Sequence, residues 1–359
     1  MRVLVAGGGS SAPPSGCEQV AEAEVRGTPV RFGVVERPDT SFDPDADHNR
    51  EYVLVAVRAF SLSEGDLALL AAGSVAPRWA EFGSDYVADV VAVGSAVTTV
   101  APGDRVIPAL QWPPVRPDPV SAVEPPSTAS RPLQRVHRAR LLPLPSGIGD
   151  AEAACLSTAA ATAYAMVRRA AVQPGETVLV TQAGSPTSLA LIQAARRHGA
   201  NVYALAEGDV ETALLDGLGV VQSFSLSEGG AADELSTLSK RLRGFDAVLD
   251  PMWHTCFPIA ARLIGFSGRY VAGYSPWVTE VAPADWHTSA ASLVAKNAVF
   301  MGQRLGDPAD LATAVADCAA SRLRMTVGSR FRGTDIAPFV FKSLDPHRTG
   351  GVTYAFTEE

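Results

Sequence analysis

Cysteine is scarce in this chain. The four cysteines, Cys17, Cys155, Cys256 and Cys318, are scattered and show no C-x-x-C spacing. That argues against a disulfide framework and for reduced thiols in a cytoplasmic protein. Long apolar runs are missing too. None reaches the ~20 residues of a membrane span, and no basic segment leads into a long apolar one, so neither membrane nor secretory leader is expected. Positive charge is not in excess: 38 acidic residues outnumber 30 basic ones, and nothing recommends nucleic acid as a partner. Apolar material is ample. With 47% hydrophobic residues over 359 positions, the chain can build two domains, each with its own core.

Glycine is short at one telling place. Residues 176–200 read ETVLVTQAGSPTSLALIQAARRHGA. The apolar, β-branched run 177–181 reads as a buried parallel strand. Beyond Thr187, the apolar Leu189, Ile192 and Ala195 fall at helical spacing, and 201–205 reads as a second strand. Strand, tight turn, helix, strand is a mononucleotide-binding βαβ unit. Such a unit uses glycines to turn sharply, to let backbone approach a pyrophosphate, and to pack helix on strand. Here only Gly184 remains in the turn. Ser185 and Ser188 add Cβ atoms, and Pro186 has no N–H to offer. Either the cradle has been rebuilt, or Pro186 takes the first helical position, where its N–H is expendable. In the second case the amides of Thr187 and Ser188 and the helix dipole can still hold an anion.

Elsewhere the pattern divides the chain. Residues 1–9, MRVLVAGGG, imitate a nucleotide fingerprint, but Pro13 and Pro14 follow, and adjacent prolines cannot open a phosphate-binding helix. An edge strand running into a loop is expected there. Strands at 30–35, 52–60 and 86–93, a short helix at 66–70 and turns within 94–104 imply a small β-rich domain. Residues 111–132, dense in Pro and Ser, read as extended loop. Asp150 reads as the N-cap of an alanine-rich helix running to Ala171. After 205, helices at 210–218, 231–242 and 258–263 alternate with strands at 220–224, 245–249, 269–272 and 299–302. That alternation is the mark of a parallel, doubly wound sheet. A helix at 308–320 and a strand at 351–356 follow.

Taken in order, these segments resemble the medium-chain dehydrogenase/reductase superfamily, in its zinc-free quinone oxidoreductase and enoyl reductase branch. Residues 53–66 look like the strand and N-x-x-D entry of that family. Phe82-Gly83-Ser84-Asp85-Tyr86 through Val93-Gly94 resembles its PG-[HS]-E…VG segment, and 102–106, PGDRV, its GDRV turn. Glu152-Ala153-Ala154 with Thr162-Ala163-Tyr164 is similar to EAA…TAY, and 174–180 to PGETVLV. Residues 245–250, Gly268-Arg269 with Gly273, Lys296-Asn297 and 347–350 fall where the family has its later motifs. The resemblance implies an α/β fold: a GroES-like β-rich catalytic domain over 1–146 and 296–359, and a six-stranded Rossmann domain over 147–295. It also implies a homodimer formed at the Rossmann edge strand near 299–301.

The resemblance carries site residues with it. The family's zinc branch has a Cys near Ser61 and a His at Ser84, and its structural zinc lobe needs four close cysteines; this chain has none of these, so no metal is expected. Implied dinucleotide contacts are Thr162, Gly184, Ser185, Thr187, Ser188, Glu207 and Gly273. The loop 206–209, Ala-Glu-Gly-Asp, with Glu211 beyond, would repel a 2′-phosphate, which disfavours NADP. Glu207 could accept a ribose hydroxyl of NAD; a solvated loop, and no dinucleotide at all, stay open. Ser63 stands where relatives carry an Asn that touches the nicotinamide ribose, and Asp66 at the family's Asp. Asp85 matches the acidic member of G-x-E, with Tyr86 beside it. His254 and His287 are acid–base candidates. Trp79, Tyr86, Tyr164, Trp277 and Trp286 either line an apolar pocket or pack in the core. Met252 and Trp253 stand where the family has a small Gly-containing turn beside the cofactor, and either fill that space or pack on the domain interface.

Two enzymatic functions and one non-catalytic one follow. The first is hydride transfer from a nicotinamide cofactor to an activated C=C or quinone of a small apolar metabolite. The second is a cofactor-independent cyclisation, elimination or isomerisation on the same scaffold. The third is a binding protein without catalysis.

Overall fold

The computed structural model describes residues 1–8, 11–71, 79–109, 128–253, 255–274 and 282–356. In chain order the elements are β1 (Arg2–Gly8), β2 (Glu18–Val25), β3 (Thr28–Glu36), β4 (Tyr52–Ser61), α1 (Glu64–Ala71), β5 (Asp85–Val93), β6 (Arg105–Pro108), β7 (Leu133–His137), β8 (Leu141–Pro143), α2 (Asp150–Ala153) and α3 (Ser157–Ala170). Then come β9 (Thr177–Thr181), α4 (Pro186–Arg197), β10 (Asn201–Ala206), α5 (Thr212–Gly217), β11 (Gln222–Ser225), α6 (Ala231–Leu242), β12 (Phe245–Asp250), α7 (Phe257–Leu263) and β13 (Ile264–Gly273). Last are α8 (Pro283–Ala295), β14 (Val299–Gln303), α9 (Pro308–Ala319), β15 (Val327–Arg332), α10 (Ile336–Leu344) and β16 (Gly351–Ala355). Among the described residues no helix is long and apolar enough to cross a membrane.

One compact unit comprises Met1–Ser157, Val327–Pro346 and Gly351–Glu359. It holds a three-stranded antiparallel sheet, β1-β3-β2, and a seven-stranded sheet ordered β15-β16-β4-β5-β6-β8, with β7 also on β4. β1 is an edge strand, as its sequence implies. Trp79 lies flat on the backbone of β1 and β3. A Cβ at Gly7 would meet its ring at 2.8 Å and one at Gly33 at 3.3 Å, so both positions exclude side chains. Trp79 is therefore core, packed with Val3, Val5 and Val35. β4 is buried along most of its length because it pairs with β5, β7 and β16.

The alanine-rich helix expected over 150–171 is two helices. Ser61 donates its hydroxyl to the carbonyl of Ala154 at 2.8 Å. That carbonyl would accept the N–H of residue 158 in a continuous helix. The link 154–156 tightens instead into bonds from Cys155 N–H to Glu152 and from Leu156 N–H to Ala153. Asp150 is not the N-cap. Gly149 is, and the Asp150 carboxylate pairs with Arg58 and Arg105.

The second unit comprises Thr158–Thr326 and His347–Gly350. Its six parallel strands run in the order β11-β10-β9-β12-β13-β14. β9 and β12 are fully or almost fully buried, as continuous apolar runs in a covered parallel sheet must be. The unit boundaries fall later than 146/147 and 295/296, because β14 and α9 complete this sheet and its cover. The order reverses between β9 and β12, and ligands of such sheets bind outside the carboxyl ends of the strands at that switch point. The expected loop at 111–132 lies mostly outside the described residues.

Candidate cofactor site

The site is built on the turn after β9. Gln182 takes a left-handed backbone, φ +56. Ala183 N–H reaches the carbonyl of Leu205, and Ser185 N–H bonds the carbonyl of Gln182 at 2.8 Å. Ser185 is the N-cap of α4, with Pro186 at its first helical position, where the missing N–H costs nothing. The Ser185 hydroxyl accepts the N–H of Ser188 at 3.1 Å. The Ser188 hydroxyl donates to the carbonyl of Thr181 at 2.6 Å and is buried. Ser188 therefore has neither amide nor hydroxyl to spare for a ligand, contrary to its assignment from sequence.

Two amides remain at the mouth of the turn, those of Gly184 and Thr187, which take no partner among the described residues. Gly184 is packed closely by the chain itself. A Cβ there would lie 3.1 Å from Val210 Cγ2 and 3.6 Å from the carbonyl of Arg348. Its own carbonyl accepts the N–H of Gly350 at 2.8 Å. The backbone of residues 348–350 thus runs beside the turn that opens a 12-residue helix. Two amides and the positive end of the helix dipole fit one diphosphate. Pro186 has no N–H and the Ser188 N–H is spent on Ser185, so both are lost to the cradle.

The carboxyl end of β10 carries the acidic loop. Glu207 Oε1 accepts the Gln182 side-chain amide at 2.5 Å, and Asp209 accepts the Ser227 hydroxyl. His347 covers Gly208, where a Cβ would come within 2.5 Å of Nδ1. Glu207 is half-buried and tethered, Asp209 is exposed and bonded to Ser227, and both put negative charge at the carboxyl end of β10.

At the end of β12, Asp250 is fully buried. It accepts the Thr181 hydroxyl at 2.7 Å, the Trp253 N–H at 2.8 Å and the Tyr270 hydroxyl. Burial pushes its carboxyl up despite those bonds. Gly273 serves packing, because a Cβ there would stand 2.3 Å from the carbonyl of Pro251. Trp253 holds φ +29, a strained conformation costing about 1 kcal/mol or more. Its ring packs against Phe257, Trp286 and Phe300 at 5.4–5.7 Å. These ring contacts place it in the aromatic cluster of α7, α8 and β14. Thr162 is buried on α3. Tyr164 donates to Asp317 at 2.6 Å and so ties α3 to α9.

In the first unit, Ser63, Asp66 and Ser84 form one cluster. Asp66 accepts the Ser63 N–H and hydroxyl, both at 2.8 Å, and the Ser84 hydroxyl at 2.9 Å. Asp66 is buried, and burial raises its carboxyl against those bonds. It caps the entry to α1. Asp85 and Tyr86 are buried at the start of β5, in register with Ser61 and Phe60. His287 is exposed on α8. His254 and Trp277 lie outside the described residues. Gln182, Arg348 and His347 escaped notice in sequence; only the HRTG motif around 347–350 signalled the last two.

The alcohol dehydrogenase GroES-like domain family matches residues 49–117. Phthioceranic/hydroxyphthioceranic acid synthase of Mycobacterium tuberculosis is 29% identical over 221 residues, 60% of this chain and 10% of the synthase. The chain thus spans about a tenth of that relative. Quinone oxidoreductase-like protein 2 of Bos taurus is 28% identical over 261 residues, covering 69% of this chain and 68% of that protein. Among solved structures, an NAD-dependent alcohol dehydrogenase superposes with TM-score 0.77 at 21% identity, covering 99% of this chain and 100% of that one. The quinone oxidoreductase of Thermus thermophilus, solved also with NADPH, gives 0.70 at 22% identity, covering 99% and 100%. The GroES-like domain is thus matched in sequence over residues 49–117, and the chain as a whole has the fold of the medium-chain dehydrogenases/reductases.

Proposed function

We propose that this protein is a zinc-independent reductase that uses a nicotinamide dinucleotide, NAD before NADP, on an activated C=C or quinone of a small apolar metabolite. The observation that carries the reading is the amino end of α4. There the amides of Gly184 and Thr187 stand at the positive end of a helix dipole, at the switch point of a parallel sheet. When bound, the reduced nicotinamide supplies a hydride to the carbon β to an electron-withdrawing group. The chain's part is to hold the diphosphate at α4, to hold the ribose near Glu207 and to orient substrate; solvent completes the reduction with a proton.

Zinc independence is supported by the donor set. Ser61 and Ser84 stand where the zinc branch has its ligands, and both hydroxyls are committed, to Ala154 and to Asp66. Among the described residues no cluster of three His, Cys, Asp or Glu could hold a metal ion. The synthase relative supports an acyl-chain substrate in specialised metabolism, and the bovine relative supports a quinone. A second copy of the chain is the partner proposed for the outer strand β14, whose Val299 and Phe300 are exposed. The cytoplasm is the proposed compartment.

A non-redox reaction remains the second reading, favoured by Pro186 and by the Ser185 bond that occupies the Ser188 amide. Thermal shift with NADH and with NADPH, followed by turnover of a crotonyl thioester and of a naphthoquinone, separates the two. A raised melting temperature with NADH and NADH oxidation that depends on one acceptor support the reductase. Turnover without nucleotide, and no shift with either one, support the rival.

A further inference from the structure

Gln182 is the first residue beyond β9, in a left-handed conformation that suits glycine better than glutamine. Neither the sharp turn nor the close approach of residues 347–350 asks for a side chain there. The side chain has its own partners. Its Nε2 donates to Glu207 Oε1 at 2.5 Å and points at Cys256 Sγ at 3.6 Å. Its carbonyl meanwhile accepts the N–H of the α4 N-cap, Ser185. One residue therefore couples the phosphate turn, the carboxyl end of β10 and the amino end of α7. Cys256 is fully buried, so the sulfur end of this contact is closed to solvent.

A glutamate at the end of the second strand discriminates between dinucleotides only if its carboxylate is held in place. A fixed carboxylate accepts ribose hydroxyls and meets a 2′-phosphate as like charge. An untethered one swings away from the phosphate. Asp209, bonded to Ser227, adds a second negative charge in the same loop. We infer that Gln182 is a positioning residue for cofactor selectivity, anchoring Glu207 so that the site takes an unphosphorylated adenosine ribose, an inference that rests on the reductase reading above.

The test uses the whole chain and two nucleotides, with dissociation constants for NADH and NADPH read from nicotinamide fluorescence. Gln182→Gly removes the side chain and leaves a residue at ease with φ +56, so the apo melting temperature should not fall. The wild type should bind NADH more tightly than NADPH. Gln182→Gly should weaken NADH about tenfold, the worth of a hydrogen bond to a charged group, and change NADPH by no more than about twofold. In a Glu207→Gln background the same substitution should no longer change the NADH/NADPH ratio. Equal factors for both nucleotides, an unchanged NADH constant, or a wild-type preference for NADPH would overturn the inference. Failure of the wild type to bind either nucleotide would be a different result: it removes the reductase reading, and this inference with it.

Discussion

Ser185 and Ser188 are bonded to each other: the hydroxyl of the first accepts the N–H of the second at 3.1 Å. The chain itself thus does for that amide what a phosphate oxygen does at a glycine-rich turn. Combined with the proline at 186, this leaves the helix end with two donors for a diphosphate instead of a full set. The consequence is a weaker cradle that can be strengthened.

Pro186→Gly restores an N–H at the first helical position. A hydrogen bond to a charged oxygen is worth about 1.5–3 kcal/mol, so NADH affinity should rise about tenfold. The same change should destabilise the apo protein by about 1 kcal/mol through glycine's backbone entropy. Titration calorimetry and a urea melt read the two effects separately.

Asp250 links stability to pH. Its folded-state carboxyl is raised, chiefly by burial. A raised carboxyl favours the folded state below the unfolded value, and this contribution is lost as pH rises through the folded one. The stability difference between wild type and Asp250→Asn should therefore grow in the wild type's favour as pH falls from neutral toward the ordinary aspartate range. Chemical denaturation at stepped pH checks it.

Asp317 ties three elements of the second unit together. Almost fully buried, it pairs with Arg197 and Arg322 and accepts the Tyr164 hydroxyl. Asp317→Ala strands those donors and should cost about 3 kcal/mol, or ~6–12 °C in melting temperature for a domain of this size. Both arginines are partly solvated, so Arg322→Ala alone should cost about 1 kcal/mol or less.

The Ser63–Asp66–Ser84 cluster bears on metal use. With both hydroxyls donated to one carboxylate, the entry to α1 holds no zinc-type donor set. Prolonged dialysis against EDTA should leave melting temperature and NADH oxidation unchanged. A stoichiometric, tightly bound zinc ion that supports activity would overturn the zinc-free assignment.

Much of the fold was legible because its strongest signals are local. The buried runs at β9 and β12 and the periodic α6 appear in sequence almost at their observed bounds. β2 escaped notice because Glu18, Glu22 and Glu24 interrupt it and only alternate residues are covered. β15 escaped because its pairing with β16 is long-range and Arg330 and Arg332 face solvent. The site was legible in place but not in detail. Pro186 could be put at the helix start by its own geometry, yet only the fold shows that Ser188 is spent internally. The Gln182–Glu207 bond spans 25 residues and leaves no local pattern to read.

Label transfer tests hydride chemistry most directly. The whole chain is incubated with NADH deuterated at the transferred C4 position and an α,β-unsaturated thioester, and the product is analysed by mass spectrometry. Hydride transfer yields a saturated product carrying a single deuterium at the β carbon. A product that carries no label from the nucleotide, or one that has only been isomerised or cyclised without gaining hydrogen, would contradict it.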